Sequence, residues 1–461
     1  MPPFLALSLW LILLLGLLYF DPAKEPKTSP ALWIPLIWMF ILASRLPSQW
    51  ISGEVGQSAT ALEEGDPLDR TIFLVLILLA SGVLLLRSVK WGSFFERNLP
   101  LIALIFFALL SVLWSDFPLI ALKHWFRDLG NYLVILVILS DPRPLEAFRT
   151  VLRRLCYLLI PLSIVLVKYF PEIGKTFDPW TGMALYSGAT TSKNMLGVAC
   201  LISGLFLFWD TVTRWADRRE QRAKRIIMLN IAFIAMTLWL LNLSNSATSR
   251  VCLVIGCGVV VAAHSRTFRH RPRLLKTLIP LSFFLFLIVA YGFGKLANLA
   301  GAVGRKPTLS DRTQIWDIVL SMHTNPFIGT GYQSFWLGPR LQQVWWLYGG
   351  KINEAHNGYI DVYLNLGFIG LFLLIGFLLA SYLTIWKRLR PFSSLGSLTL
   401  AVWTILIFYN FTEAAFQGGL LWMTLMPGAI AFSKYTEDRV AIVVVRDDEE
   451  AREQFPAVSS T

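Results

Sequence analysis

The stretch YIDVYLNLGFIGLFLLIGFLLASYLTIW, Tyr359–Trp386, carries a single charge, Asp361, over its whole length. A helix needs about 20 consecutive apolar residues to cross a bilayer, and this run exceeds that. Working outward, Pro3–Phe20, Thr71–Leu86, Leu99–Trp114 and Leu274–Phe293 repeat the pattern. The chain has 461 residues, 55% of them hydrophobic and 15% charged. A soluble fold of this size has too little interior for so much apolar surface, whereas a membrane bundle has no need to hide it. The predicted fold class is therefore an all-α polytopic membrane protein, with about twelve to thirteen transmembrane helices. The first run lacks a basic flank and a small-residue cleavage site, so it reads as a retained helix. No internal repeat is visible.

The formal charge of +12 would suggest nucleic acid in a soluble protein. Here it sorts by loop. Numbered in order, the odd connections (21–30, 87–98, 141–154, 210–225, 264–276 and 387–394) carry 23 Lys and Arg. The short even ones (46–70, 115–128, 168–192, 244–250 and 410–418) carry 6. Positive charge gathers in short cytoplasmic loops, so the odd set is expected inside, next to anionic lipid, and no nucleic acid is required. The long connection 294–357 is even-numbered and expected outside. The organisation read from this is a transmembrane bundle over 1–293, an outer loop over 294–357 containing a helix at 310–324, further membrane helices over 358–432, and a cytoplasmic tail over 433–461. The mixed charge of that tail reads as disorder. The four cysteines lie inside apolar segments without a CxxC pair and read as small core residues.

The outer loop is the obvious place for chemistry, because a loop of this length is more often functional than a plain connector. Within it TLSDRTQIWDIVLSMHTNPF reads as a helix. Thr308 or Ser310 stands at its cap, Ile315, Ile318, Val319 and Met322 recur at helical spacing, and Asn325-Pro326 ends it. The stripe predicts a helix lying on the bundle or the bilayer surface. Arg312 falls in its first turn, where a cation opposes the helix dipole unless an anion binds there too; pairing with Asp311, Asp317 or Glu354 is the structural alternative. Arg250 closes the polar run NLSNSATSR just before an apolar segment, where an ionisable residue is costly and is either functional or snorkelling. His356, in NEAHNGYIDV, precedes a membrane helix whose N-terminus favours a neutral imidazole, suited to a base or a hydrogen-bond partner. Lys193 and Asn194 in GATTSKNMLG and Glu413 in NFTEAAFQGG fall at outer helix ends. Tyr332 and Asn357 complete the candidate substrate contacts. His264, His270 and His323 look unremarkable. No nucleotide cradle, HExxH or outer DxD is present, so a sugar-nucleotide donor with a bound metal has no support.

These residues carry a resemblance. SVLWSDFP, SKNMLG, SNSATSR, SDRTQIWDIVLSMHTNPFIGTGYQSFW and EAHNGYIDVYLNLGFIGL, in this order over roughly 60–432, resemble the O-antigen ligase/polymerase family. The resemblance implies a C-type glycosyltransferase-like bundle in the bacterial inner membrane, with its active face periplasmic. It also implies an inverting, metal-independent transfer with no cofactor. The donor would be a polyprenyl-diphosphate-linked oligosaccharide, and the acceptor a glycan or lipid A–core. In this family's pattern the two arginines correspond to Arg250 and Arg312 and the histidine to His356. Two arginines would neutralise the departing diphosphate, and His356 would take the acceptor proton or position the hydroxyl. The segments around Lys193, EGDPLDR and GYQSFW look most like exopolysaccharide polymerases, with a chain-length regulator and export proteins as further partners. An O-antigen ligase would share the same three residues. A lipid-linked oligosaccharide transporter fits less well, because the mid-helix charges it would need are few.

Overall fold

A computed structural model describes residues 1–22, 28–52, 65–177, 182–266, 268, 274, 276–285, 310–389, 394–416 and 418–432. The predicted cap Thr308 and the tail 433–461 lie outside the described residues. The chain is all-α, as expected; among the described residues the one sheet is a two-stranded hairpin, β1 (Lys175–Phe177) with β2 (Ala184–Tyr186), Lys175 facing Tyr186.

The N-terminal part comprises α1 (Pro3–Phe20), α2 (Trp33–Ala43), α3 (Pro47–Ser52), α4 (Pro67–Leu86), α5 (Trp91–Arg97), α6 (Leu99–Leu110) and α7 (Pro118–Leu139). Four long helices follow: α8 (Pro144–Tyr169), α9 (Lys193–Arg214), α10 (Gln221–Ser244) and α11 (Ala247–His264). The long connection contributes α12 (Ser310–Ser321) and α13 (Gly338–Tyr348), before α14 (Gly358–Leu389), α15 (Ser394–Tyr409) and α16 (Leu420–Ala429). Seven of these helices are long and apolar enough to cross a membrane, or eight if the pair α5 and α6 with its extension to Trp114, bent by 89°, is one span. The sequence count of twelve to thirteen included shorter apolar helices, such as Leu395–Tyr409 and Leu420–Ala429. It also included α7, whose first turns hold Lys123, His124, Arg127 and Asp128.

Two helices form the middle of the bundle. The apolar window of α9 is 78% buried and that of α8 72%, against 11% for α1. Around them α10 and α11 pack on α9, and α15 packs on α11. Side chains such as Phe4, Ile12, Leu78 and Phe372 point outward, the pattern of helices solvated by lipid rather than water.

Helix α12 ends at Ser321, three residues before the expected boundary at 324. Its predicted stripe turns toward the protein: Ile315 and Val319 join Phe335, Val344 and Leu364 in a small second core. The long connection is thus bolted to α14. The bolt is a backbone exchange at Gly367, where α14 breaks with φ 62° and ψ −165°. Phe368 and Ile369 donate to the Pro326 and Phe327 carbonyls, while Thr330 and Gly331 donate to those of Leu364 and Asn365. Irregular backbone inside a membrane bundle needs partners of this kind, because lipid offers none.

Candidate active site

The turn after α15 gathers the site. Asn410 shapes it: its Oδ1 accepts from the Ala415 N–H at 2.7 Å, and the Gly358 N–H donates to the carbonyls of Asn410 and Glu413. Glu413 is thereby held almost fully buried, 5% exposed. A buried carboxylate needs partners, and three arrive from different elements. Arg312 Nη2, from the first turn of α12, donates to Oε1 at 2.7 Å. Asn194 Nδ2, from the first turn of α9, lies 3.2 Å from Oε1 and 3.3 Å from Oε2. His356 Nδ1 stands 3.3 Å from Oε2 and 2.9 Å from Glu354 Oε1.

Each side chain is placed by its surroundings. The Trp316 indole donates to the Ala355 carbonyl at 2.9 Å and its ring meets Phe411 edge-on, tying α12 to both the His356 strap and the Glu413 turn. Asp361 accepts from the Ala355 N–H and from the Trp336 indole, fixing the strap from the other side. His356 itself adopts a left-handed backbone, φ 47°, a strained conformation for a residue with a Cβ and one that surrounding contacts must hold. Ser192 caps α9 through the Met195 N–H, which delivers Lys193 and Asn194 to the site.

The electrostatics revise one expectation. The sequence suggested a neutral imidazole at the N-terminus of α14. Burial does work against a charge on His356. Hydrogen bonds to Glu354 and Glu413, with the charges of the same two carboxylates, outweigh it and raise the pKa from 6.5 to about 10. At neutral pH His356 is an imidazolium. Arg312 likewise pairs with Glu413; of its expected partners, the Asp311 side chain lies outside those described, and no ion pair to Asp317 or Glu354 is found among the described residues.

Other expected residues separate from this cluster. Thr248 and Thr412 hydroxyls meet at 3.0 Å, so the first turn of α11 touches the Glu413 turn. Arg250, in that turn, reaches back to Asn245 through Nη2, and its Nε is buried with no partner among the described residues. Asn245 is, like His356, a left-handed non-glycine residue. Lys193 is half-buried, with no described contact tying down its ammonium. Asn357 is occupied within the fold: its Oδ1 caps α14 through the Tyr359 and Ile360 N–H groups, and its Nδ2 donates to Phe411. Tyr332 belongs to a neighbouring cluster, its hydroxyl donating to Asp128 at 2.8 Å.

Two residues of this region carried a signal that went unused. Glu354, considered above only as a partner for Arg312, lies two positions before His356 and its carboxylate meets that imidazole. Asp128 is a buried ionisable residue at the point where the charged first turns of α7 give way to its apolar part, a functional pointer by default. Glu354, His356 and Glu413 bring ligand atoms within 4.8 Å of one another, a donor set that a divalent cation accepts. The His356 Nδ1 proton bridges both carboxylates and, with Arg312, supplies positive charge there.

Fold and site together define a multi-pass helical membrane protein with a charged, partly buried centre at one end of its bundle. Residues 231–375 match the family described as O-Antigen ligase, a stretch that contains Arg250, Arg312, Tyr332, His356 and Asn357. The chain is also 26% identical over 314 residues to the "Exopolysaccharide production protein ExoQ" of Rhizobium meliloti (strain 1021), covering 64% of this chain and 67% of that protein. The chain is thus similar to the family described as O-Antigen ligase and to an exopolysaccharide production protein, and its seven to eight long apolar helices are those of a multi-pass membrane protein.

Proposed function

We propose that this protein joins polyprenyl-diphosphate-linked glycan units at the periplasmic face of the bacterial inner membrane, as an exopolysaccharide polymerase. The observation that carries the reading is the meeting of Arg312, His356 and Asn194 on buried Glu413. A lipid diphosphate leaves with two or more negative charges, and a membrane-embedded centre must meet them with fixed cations. Arg312 stands ready at one side. Arg250 brings a buried N–H still lacking a partner among the described residues, the kind of donor an arriving phosphate oxygen satisfies.

In the proposed step the acceptor hydroxyl oxygen attacks the anomeric carbon. The bond from that carbon to the diphosphate oxygen breaks, the electron pair leaving with the phosphate, and the hydroxyl proton passes to Glu354. Attack opposite the leaving group inverts the anomeric centre. His356, charged, donates through Nε2 to the oxygen that gains negative charge. The positive charge of Arg250, Arg312 and His356 takes the place of a metal, so transfer should survive EDTA. The similarity to an exopolysaccharide production protein supports the polymerase. The O-Antigen ligase match supports a second reading, transfer to lipid A–core, which differs in acceptor and shares the donor site.

The test is glycan length, or glycan on lipid A–core, in a deletion strain complemented at matched expression. Arg250→Ala, Arg312→Ala and His356→Ala should each lower transfer by about 10²–10³-fold. Arg312→Lys should also fail, because Lys keeps the charge and loses the fork. His323→Ala, on the same connection, should be silent. Near-normal glycan from the Arg312 and His356 variants would remove the proposed site, and strict metal dependence would remove the mechanism.

A further inference from the structure

Glu354, His356 and Glu413 each bring one ligand atom within 4.8 Å of the others, and they do so from two segments, the strap before α14 and the turn after α15. Around a tetrahedral zinc ion, with bonds of about 2.0–2.2 Å, ligand atoms stand about 3.3–3.6 Å apart. His356 Nδ1 already lies 2.9 Å from Glu354 Oε1 and 3.3 Å from Glu413 Oε2. A metal ion therefore fits between these three atoms, in place of the Nδ1 proton, with small shifts of the carboxylates.

The donors are positioned by the fold itself. Arg312 holds Glu413 through Oε1 at 2.7 Å, which leaves Oε2 facing His356. Asp361 accepts from the Ala355 N–H and the Trp316 indole donates to the Ala355 carbonyl, so the strap keeps His356 turned to Glu413. Outer contacts of this kind orient metal ligands and raise affinity. The Glu354 side chain, 38% exposed, leaves an entry path from water. Arg312 opposes a further cation. With the Nδ1 proton gone, however, the two carboxylates outnumber it and leave the centre one negative charge, which a divalent ion reverses. An imidazole nitrogen with two carboxylates suits Zn2+, whereas Mg2+ and Ca2+ favour all-oxygen shells with more ligands.

We infer that Glu354, His356 and Glu413 form an inhibitory Zn2+ site. The ion binds Nδ1 and one oxygen of each carboxylate, a water completes the tetrahedron, and the Nδ1 proton leaves to solvent. Glu354, once coordinated, no longer offers a free carboxylate to the acceptor hydroxyl. His356 keeps its Nε2 proton and loses the charge that made it a strong donor. Binding rests on the geometry of the three side chains; the arrest of transfer rests on the function proposed above.

The experiment uses the untagged full chain in phosphatidylcholine nanodiscs, stripped with EDTA and titrated with ZnCl2. One equivalent should bind and release about one proton. His356→Ala and Glu354→Gln should each weaken binding by more than about 100-fold, beyond the loss usual for an outer contact. Either variant suffices if the other fails to insert. His323→Ala, exposed on the same connection, should bind as the parent does. Co2+ should give the visible absorption of a four-coordinate ion, and Glu354→Gln should abolish it. Mg2+ in large excess should not compete. In membranes of the complemented strain, Zn2+ should stop transfer and EDTA should restore it. The absence of saturable binding, or binding by both variants at parental affinity, would overturn the site. Zinc bound at the three residues with transfer unchanged would overturn the inhibition and count against Glu354 and His356 in the reaction, while the metal site stands. Transfer that rises with Zn2+ would overturn the inhibition and the metal-free mechanism together.

Discussion

At the scale of single residues, Glu413 is the common partner within the proposed site. Its two oxygens serve Arg312, Asn194 and His356, and removing one member of a buried charge pair costs about 3–5 kcal/mol. Glu413→Ala should therefore abolish transfer and loosen the strap. Glu413→Gln keeps the shape and removes the charge, so it should spare insertion while the His356 pKa falls from about 10. That pKa sets a pH test. If His356 acts as a charged donor, transfer should hold across neutral pH and decline as pH rises through about 10. In Glu413→Gln the decline should begin at lower pH. Were His356 the base, activity would climb over the same range, and a rising profile would reassign the proton acceptor from Glu354. Stability follows the same sign. The folded pKa is raised, so its contribution is full below the ordinary 6.5 and is lost as pH passes through about 10.

At the scale of elements, what was legible was what local pattern encodes. The apolar runs gave the helices, and the stripe of Ile315 and Val319 gave α12, because burial of one helix face writes itself at a spacing of three and four residues. The break in α14 did not show. Gly367 sits in a run that reads as one continuous span, and its left-handed backbone is imposed by a partner segment forty residues earlier in the chain. The site was half legible for the same reason. Arg312, His356, Asn194 and Glu413 could be singled out one by one at helix ends, whereas the position of Glu413 as the common partner of the other three and the proton between His356 and Glu354 depend on contacts across elements. The kink supplies its own test. A Cβ at Gly367 would lie 2.2 Å from the Phe327 carbonyl carbon, so Gly367→Ala should free the segment 325–331 from α14. Amide exchange across that segment should speed up and transfer should be lost. Gly376→Ala, in the same helix with nothing within 4 Å of the added methyl, should be silent or slightly stabilising, by up to about 1 kcal/mol.

At the scale of the whole molecule, the bundle is charged differently at its two ends, and α9 connects them. It begins at Lys193 and Asn194 beside Glu413. Near its far end Asp210 is fully buried among Arg153 at 2.5 Å, Arg214 at 3.1 Å and Asn230 at 2.9 Å, about 24 Å away along the helix. The basic turn that follows, with Arg218 and Arg219 exposed, belongs to that far end. Loop charge predicts the far end in the cytoplasm and the Glu413 end outside. The native cysteines give a quiet background, since Cys156, Cys200 and Cys252 are buried and Cys257 is half-buried. An impermeant thiol reagent should leave the parent chain unlabelled in intact cells. Gln343→Cys, exposed on α13 at the site end, should label without permeabilisation. Arg218→Cys should label only after the membrane is opened. The reverse pattern would invert the molecule and put the charged centre on the cytoplasmic side. A lipid-diphosphate glycan would then have to be used before crossing the membrane, and the reading of this protein as a periplasmic polymerase would fall with it.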